Sequence, residues 1–263
     1  MRYATAIWNY AEPGVDLADL VAEFAGFGYD AISLSSSQWA KLDDPAGREV
    51  AACIRDLDLL VTAHSGFNIA IDDATRLVEW LGDSLHAITF DPMMGMDSRG
   101  MLFEASAMAE LIAEILVATD GTELLVAVED FPLDDTALSF YADGLSRILA
   151  HPRYGILIDV GHLNMRLRKE GYFGGQSIED YIRRVPMPIA EVHIHDNDGT
   201  GDQHGPLGFG NCDFQAVADA LKSVGFDGVS TIEIAPSFHD RTPAESKPDS
   251  AASLATWKQL WEG

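Results

Sequence analysis

Cysteine and basic residues are scarce in this 263-residue chain. Its two cysteines, Cys53 and Cys212, cannot form a disulfide framework, and neither has the CxxC neighbour of a thiolate metal site. A reducing, cytoplasmic compartment is therefore expected. Only 17 lysines and arginines stand against 42 acidic residues, which gives a formal net charge of −25. Such a chain repels polyanions at long range, so nucleic acid is not an expected partner.

The chain also lacks the apolar run of about 18 to 20 residues that a membrane span requires. Its start, MRYATAIWNY, does not combine a charged segment, a long apolar segment and a small-residue cleavage site. Neither a secretory signal nor a membrane partner is expected. What the chain has is the composition of a folded protein, with 47 % apolar residues. No linker or low-complexity tract interrupts it, so residues 1–263 are expected to form one domain.

Short apolar runs alternate with amphipathic stretches along the whole chain. Eight runs are apolar throughout, which is typical of parallel strands covered by helices. Eight strand–helix units in 263 residues, about 33 residues each, predict an α/β fold, a single (β/α)₈ TIM barrel. A doubly wound open sheet is the alternative, although the first strand-to-helix turn has no GxGxxG motif. The predicted strands are Tyr3–Trp8, Ala31–Leu34, Leu59–Ala63, Ala87–Phe90, Glu123–Val128, Gly155–Ile158, Ile189–Ile194 and Val229–Ile234.

Helical patterns fill most of the intervals between these strands. The longest irregular stretch, Asp196–Cys212, follows the seventh strand, and loops of that length in compact domains are usually functional. The predicted helices are Asp16–Phe27, Pro45–Asp56, Asp72–Leu81, Glu104–Ala118, Asp134–Leu149, Ser177–Arg184, Asp213–Val224 and Ala244–Trp261.

Charged side chains follow four consecutive predicted strands. In a TIM barrel the C-terminal strand ends surround the active site, and here they carry Glu129, Asp159, His193 and Glu233. One acid after a strand is ordinarily a helix N-cap, but four such residues on adjacent strands predict a metal site. A divalent cation offsets the cost of desolvating carboxylates. Three carboxylates and one imidazole suit Mn²⁺, Mg²⁺ or Co²⁺ better than a thiolate site would.

A second set of residues lies near the same predicted rim. Each member has an ordinary structural interpretation, as a satisfied histidine, a cap or a solvated turn, beside a role in binding a second metal ion or the substrate. This set is His64, Asp91, His162, Asp202 and His204. Trp8 and Asn9, predicted to finish the first strand, either wall a sugar ring or plug the barrel, and His195 is assigned with them to the substrate pocket.

Four strings carry a family resemblance: Val-Glu129-Asp, Ile-Asp159-Val-Gly-His162, Val-His193-Ile-His-Asp-Asn and Thr-Ile-Glu233. They resemble the xylose isomerase-like TIM barrels, a superfamily of sugar isomerases and epimerases that also includes the endonuclease IV-type DNA-repair enzymes. The resemblance covers essentially the whole chain. Its most specific segment is HIHDNDGTGDQHGPLGFG, at 193–210.

The resemblance implies roles for single residues. Glu129, Asp159, His193 and Glu233 match the ligands of one divalent ion in the ketose 3-epimerases, where the two glutamates are also the acid/base pair and His162 matches a substrate-contacting histidine. In the endonuclease branch, which holds three zinc ions, Asp202, His204, His64 and His162 match further ligands. Two positions depart from these patterns. Gly199 stands where the epimerases usually have arginine, and Asp91 stands where the endonucleases have histidine.

The preferred hypothesis is a divalent-metal-dependent isomerase or epimerase of carbohydrate metabolism. It would act on a small ketose or related sugar through an enediolate, with Glu129 and Glu233 as the bases and Mn²⁺, Mg²⁺, Co²⁺ or Zn²⁺ as the ion. Arg99 and Arg166 are the nearest basic residues to the predicted rim, so a free sugar is favoured over a sugar phosphate. Two alternatives stay open: a hydrolase or lyase with two or three ions, and a barrel that only binds a sugar. The oligomeric state, including a homo-oligomer, is also left open.

Overall fold

Eight parallel strands form one continuous sheet in the computed structural model, which describes residues 1–66, 69–92, 94–97, 100–103, 105–130, 151–166 and 177–263. The strands are β1 Arg2–Thr5, β2 Ala31–Ser35, β3 Leu60–His64, β4 Leu85–Phe90, β7 Leu125–Glu129, β8 Tyr154–Asp159, β9 Ile189–Ile194 and β10 Val229–Ile232. Their order in the sheet is β1-β10-β9-β8-β7-β4-β3-β2. A parallel bridge between Ala6 and Ser33 brings the two outermost strands together and closes the ring. The predicted TIM barrel is confirmed.

An antiparallel hairpin interrupts this alternation after β4. It consists of β5 Met94–Asp97 and β6 Gly100–Phe103, and the sequence pattern did not predict it. The described helices are α1 Leu17–Gly26, α2 Ser36–Trp39, α3 Asp44–Asp56, α4 Ile71–Leu81, α5 Ala105–Ala118, α6 Val160–Arg166, α7 Ile178–Arg184, α8 Phe214–Ser223 and α9 Pro243–Glu262.

Local sequence signals explain most of the helix boundaries. Asp16 caps α1, accepting hydrogen bonds from the amides of Ala18 and Asp19. Thr242 and Glu245 form a capping box at the start of α9. Seven of the eight predicted helices match described helices to within a few residues, whereas the short helices α2 and α6 were not predicted. The predicted helix Asp134–Leu149 lies outside the described residues.

The first predicted strand is too long. β1 ends at Thr5, and Ile7–Tyr10 forms a 3₁₀ turn in which the Asn9 amide donates to the Ala6 carbonyl. Ile7 and Tyr10 point into the core, so the turn satisfies their burial better than a continued strand would. Trp8 and Asn9 therefore lie on this turn and not on the end of a strand.

Apolar side chains pack between the helices and the outer face of the barrel. The largest fully buried ones include Trp39, Trp257, Tyr10 and Tyr154. In the described part of the chain, no helix has the length and the apolar character that crossing a membrane requires.

Candidate active site

Strand register brings the predicted ligands to one rim of the barrel. Asp159 on β8 pairs with His193 on β9, and His193 pairs with Thr231 on β10, two residues before Glu233. Glu129, the last residue of β7, pairs with Leu157, two residues before Asp159. Because residues two apart on a strand face the same side, all four side chains point into the barrel at its C-terminal end.

Three of these residues form a compact group. Asp159, His193 and Glu233 are buried, and each offers a ligand atom within 4.8 Å of the others. His193 Nδ1 lies 2.8 Å from Glu233 Oε2 and 3.8 Å from Asp159 Oδ2. Two carboxylates and one imidazole match the donor types of a site for a divalent cation, and we call this group the central group.

Glu129 lies beside the central group and connects it to two further groups. Its Oε1 is 2.5 Å from His162 Nδ1, which is also 3.7 Å from Asp159 Oδ2. Its Oε2 is 3.8 Å from His64 Nε2, and His64 is 3.6 Å from Asp91. His64, Asp91 and Glu129 meet the same 4.8 Å criterion as a separate group.

A further group, which we call the loop group, joins Asp202 and His204 of the long loop to His162 of α6 and to His195, which directly follows β9. Asp202 lies 3.0 Å from His204 Nε2 and 3.3 Å from His162 Nε2. Burial lowers the pKa of His204, but the nearby Glu233 and Asp202 carboxylates raise it to about 9. The sequence predicts that His195 lines the substrate pocket. In the structure its ring is fully buried and stacks on His204, and its Nε2 lies 3.0 Å from Asp159 Oδ1.

Imidazoles compensate the buried carboxylates of the site. Burial lowers the pKa of His193, but the Glu233 carboxylate outweighs it and holds this pKa well above its ordinary value. Burial also lowers the pKa of His162, but the Asp159 and Glu129 carboxylates outweigh burial and raise this pKa to about 12. Burial raises the pKa of Asp159, yet the imidazole of His162 helps to hold it well below the usual range. A bound cation would take over this compensation, and the imidazoles would release protons on binding it.

Aromatic and basic side chains lie at the edge of this site. The half-buried Trp8 stacks on His64 with ring centroids 5.9 Å apart, and its neighbour Asn9 is also half-buried. Arg166 Nη1 lies 3.6 Å from Asp130 Oδ2. Arg99 lies outside the described residues. The Trp8 side chain therefore lies beside the candidate ligands, where an aromatic wall for a bound sugar ring would have to lie.

Asp196 holds the long loop in its conformation. Its buried carboxylate accepts hydrogen bonds from the amides of Gly208, Gly210 and Cys212, at 3.0, 2.8 and 3.1 Å. The amide of Asp196 also donates to the Gly205 carbonyl, next to His204. One strand-end aspartate thus closes the loop that carries Asp202 and His204 back onto the barrel.

We expect Gly210→Ala to destabilise this loop. An added Cβ would lie 2.0 Å from the Asn197 carbonyl oxygen, which is backbone and cannot move aside as a side chain does. Forced overpacking costs roughly 1–3 kcal/mol, so the urea midpoint should fall accordingly. Gly201→Ala, in the same loop with no atom within 4 Å of the added Cβ, is the control and should leave the midpoint unchanged. Equal midpoints for the two variants would contradict the prediction.

Two buried acids at the site were not identified as functional from the sequence. Glu191 lies on β9 two residues before His193, and Asp130 follows Glu129 and accepts a hydrogen bond from the Asp159 amide at 3.2 Å. Burial raises the pKa of Asp130 well above its usual value. The sequence does contain a signal for Glu191: it is a charged residue inside the apolar run IAEVHI, two residues before His193 and so on the same face of the strand.

Residues 104–259, more than half of the chain, match the sequence profile of a family described as xylose isomerase-like TIM barrel. The uncharacterized protein MJ1311 of Methanocaldococcus jannaschii is 29 % identical over 127 residues, 46 % of this chain and 41 % of that protein. The match thus spans less than half of that relative's length.

Solved structures are similar over nearly the full length. D-psicose 3-epimerase of Clostridium cellulolyticum H10, crystallised with D-tagatose, superimposes with a TM-score of 0.73 at 14 % identity, covering 99 % of both chains. The IOLI protein with a bound zinc atom gives a TM-score of 0.71 at 14 % identity, covering 99 % of this chain and 98 % of that one. At these identities the similarity is one of fold.

Proposed function

Because this chain belongs to the xylose isomerase-like TIM barrel family, we propose that it is a divalent-metal-dependent sugar isomerase or epimerase. The observation that carries the proposal is the central group: the buried side chains of Asp159, His193 and Glu233 lie close together at the C-terminal rim of the barrel. The proposed substrate is a small ketose or related sugar. Its proposed chemistry is proton transfer at carbon through an enediolate.

The proposed metal ligands are Asp159, His193 and Glu233, with Glu129 at their edge. When bound, a divalent cation such as Mn²⁺, Mg²⁺, Co²⁺ or Zn²⁺ supplies Lewis acidity to substrate oxygens. Glu129 ends β7 and Glu233 directly follows β10, two strands that β8 and β9 separate, so a sugar held above the central group would lie between two carboxylates. One glutamate would remove the proton from carbon and the other would return a proton, as general base and acid.

His162 and Trp8 support the pocket in this proposal. His162 contacts Glu129 at 2.5 Å and Asp202 at 3.3 Å, so its ring spans the edge of the proposed pocket and orients the Glu129 carboxylate. Trp8, stacked on His64, would cover an apolar face of the sugar ring. The relative crystallised with D-tagatose makes a neutral ketose the first substrate class to test.

A metal count tests the proposal together with an isotope measurement. Protein purified without chelator is expected to contain at least one divalent ion per chain by elemental analysis. Incubation with neutral ketoses in D₂O should place deuterium on substrate carbon, observed as loss of a C–H signal by proton NMR. Full turnover by metal-free protein would overturn metal dependence. Turnover without deuterium incorporation would overturn the enediolate route and leave a hydride shift or a hydrolysis.

A second candidate function is a hydrolase or lyase that uses two or three ions. It is favoured by the loop group, in which His162, His195, Asp202 and His204 place further ligand atoms beside the central group. Two or three tightly bound ions per chain, with cleavage or elimination and no epimerisation, would support this alternative. One ion per chain with deuterium incorporation would support the isomerase.

A further inference from the structure

Glu191 is a fully buried carboxylate inside the barrel for which the proposed chemistry has no role. It lies on β9 two residues before His193, so both side chains face the barrel interior. Its Oε1 accepts hydrogen bonds from the hydroxyls of Thr62 and Thr231, at 2.7 and 2.5 Å. These threonines come from β3 and β10, so the carboxylate lies between strands on different sides of the barrel.

The position of Glu191 relative to His193 is specific. His193 directs Nδ1 at Glu233 and Asp159, while its Nε2 lies 3.4 Å from Glu191 Oε1. Within the described residues this buried Nε2 makes no hydrogen bond of ordinary geometry. Glu191 Oε1, at 3.4 Å, is therefore the acceptor placed to receive its proton. A proton on Nε2 leaves the Nδ1 lone pair free for a metal ion.

The same carboxylate also reaches a second imidazole. Thr89 Oγ1 lies 3.5 Å from Glu191 Oε2 and 3.0 Å from His64 Nδ1. His64 belongs to the group with Asp91 and Glu129. Glu191 is thus in contact, directly or through one hydroxyl, with a histidine from each of two candidate ligand groups.

Packing alone does not explain this residue. Elsewhere the barrel contains clusters of small and aliphatic side chains, such as Ala4, Ala31 and Val229. Burying an ionised carboxylate costs several kcal/mol unless hydrogen bonds and an opposite charge offset it. An apolar residue would fill the same volume without that cost, so a carboxylate at this position points to a task at the histidines.

We propose that Glu191 is a positioning residue, which holds His193 with Nδ1 toward the central group and, through Thr89, orients His64. The inference rests on the metal dependence in the proposed function, but not on the identity of the sugar. In proteins, a carboxylate behind a metal-binding histidine sets the tautomer and the ring orientation of that histidine. Its loss typically weakens metal binding or activity by roughly 10- to 100-fold.

The test is Co²⁺ binding to the full chain, followed by the visible absorption of the bound ion. Glu191→Gln preserves size but removes the charge, and we expect Co²⁺ affinity to fall by roughly 10- to 100-fold. Thr5→Val controls for the loss of a buried barrel-strand hydroxyl, as in Thr231→Val: Thr5 pairs with Ile232, one residue out of phase with the interior-facing Thr231, so its side chain lies outside the barrel interior, where its hydroxyl donates to the Ile232 carbonyl at 3.4 Å. It should leave Co²⁺ affinity unchanged. Thermal unfolding of the metal-free proteins separates a loss of affinity from a loss of folding.

The outcomes distinguish this inference from the function on which it rests. Equal Co²⁺ affinities of wild type and Glu191→Gln would overturn the positioning role alone. A wild type that binds Co²⁺ but converts no ketose would overturn the sugar chemistry alone, and one that binds no Co²⁺ would overturn both. Should Glu191→Gln not fold, Thr231→Val removes one donor to the carboxylate and is expected to weaken Co²⁺ binding by a smaller factor. Unchanged affinity there would also overturn the role.

Discussion

Replacing His193 with alanine is expected to remove bound metal and turnover together. His193 is the imidazole of the central group, and without it Asp159 and Glu233 lose the nitrogen that lies between them and the shared charge that compensates both. Breaking a buried charge pair by removing one partner typically costs about 3–5 kcal/mol, so the metal-free variant should also unfold at lower temperature. Elemental analysis after dialysis, followed by a ketose assay, measures both losses.

A ligand-induced shift makes this test more specific. An ion present at about 100 times its dissociation constant stabilises the folded state by about 2.7 kcal/mol, so Mn²⁺ should raise the melting temperature of the wild type but not of His193→Ala. His86→Ala is the control, because His86 is half-buried and contacts the Ala190 carbonyl, away from the ligand groups. A His193→Ala protein with normal metal content would exclude His193 as a ligand.

Glu233→Gln is expected to separate metal binding from catalysis. The amide keeps a neutral oxygen for the ion but has no basic site, so the variant should retain a measurable fraction of bound metal. Its turnover should fall by at least about two orders of magnitude, the usual scale for losing a general base. Deuterium incorporation from D₂O into substrate carbon should disappear with it.

A matched exchange elsewhere controls for the change of charge. Glu79→Gln lies on the exposed face of α4 and should leave metal content, turnover and deuterium incorporation as they are in the wild type. A near-normal rate for Glu233→Gln would remove Glu233 from the mechanism. If Glu233→Gln lost bound metal but kept the wild-type turnover rate per bound ion, Glu233 would be a metal ligand and not a base.

The coarse position of the site was predictable because it follows from chain direction. Parallel strands present their C-terminal ends at one rim, so residues that directly follow such strands must meet there. Asp159, His193 and Glu233 illustrate this, since register alone places them in one group. His64, at the end of β3, reaches the same rim for the same reason.

Side-chain direction was not predictable in the same way. Strand order gave no reason to expect that Glu129 would turn from the central group to His162, at 2.5 Å. Nor could it show that His195 is fully buried against Asp159 and not open to the pocket. Trp8 lies beside His64 because a 3₁₀ turn replaces the predicted strand end. These placements depend on rotamers and on packing from several strands.

The sequence by itself therefore determined the barrel, its eight strands and the rim on which acids and histidines gather, since apolar periodicity and chain polarity are local properties. The tertiary structure decided how those residues divide into groups and which buried acids support them. Glu191 contacts His193, Thr62 and Thr231, and two of these partners lie 129 and 40 residues away in the chain. The contact with Thr231 requires the pairing of β9 with β10, and the contact with Thr62 of β3 forms only when the ring closes, because closure brings side chains from distant strands into one interior.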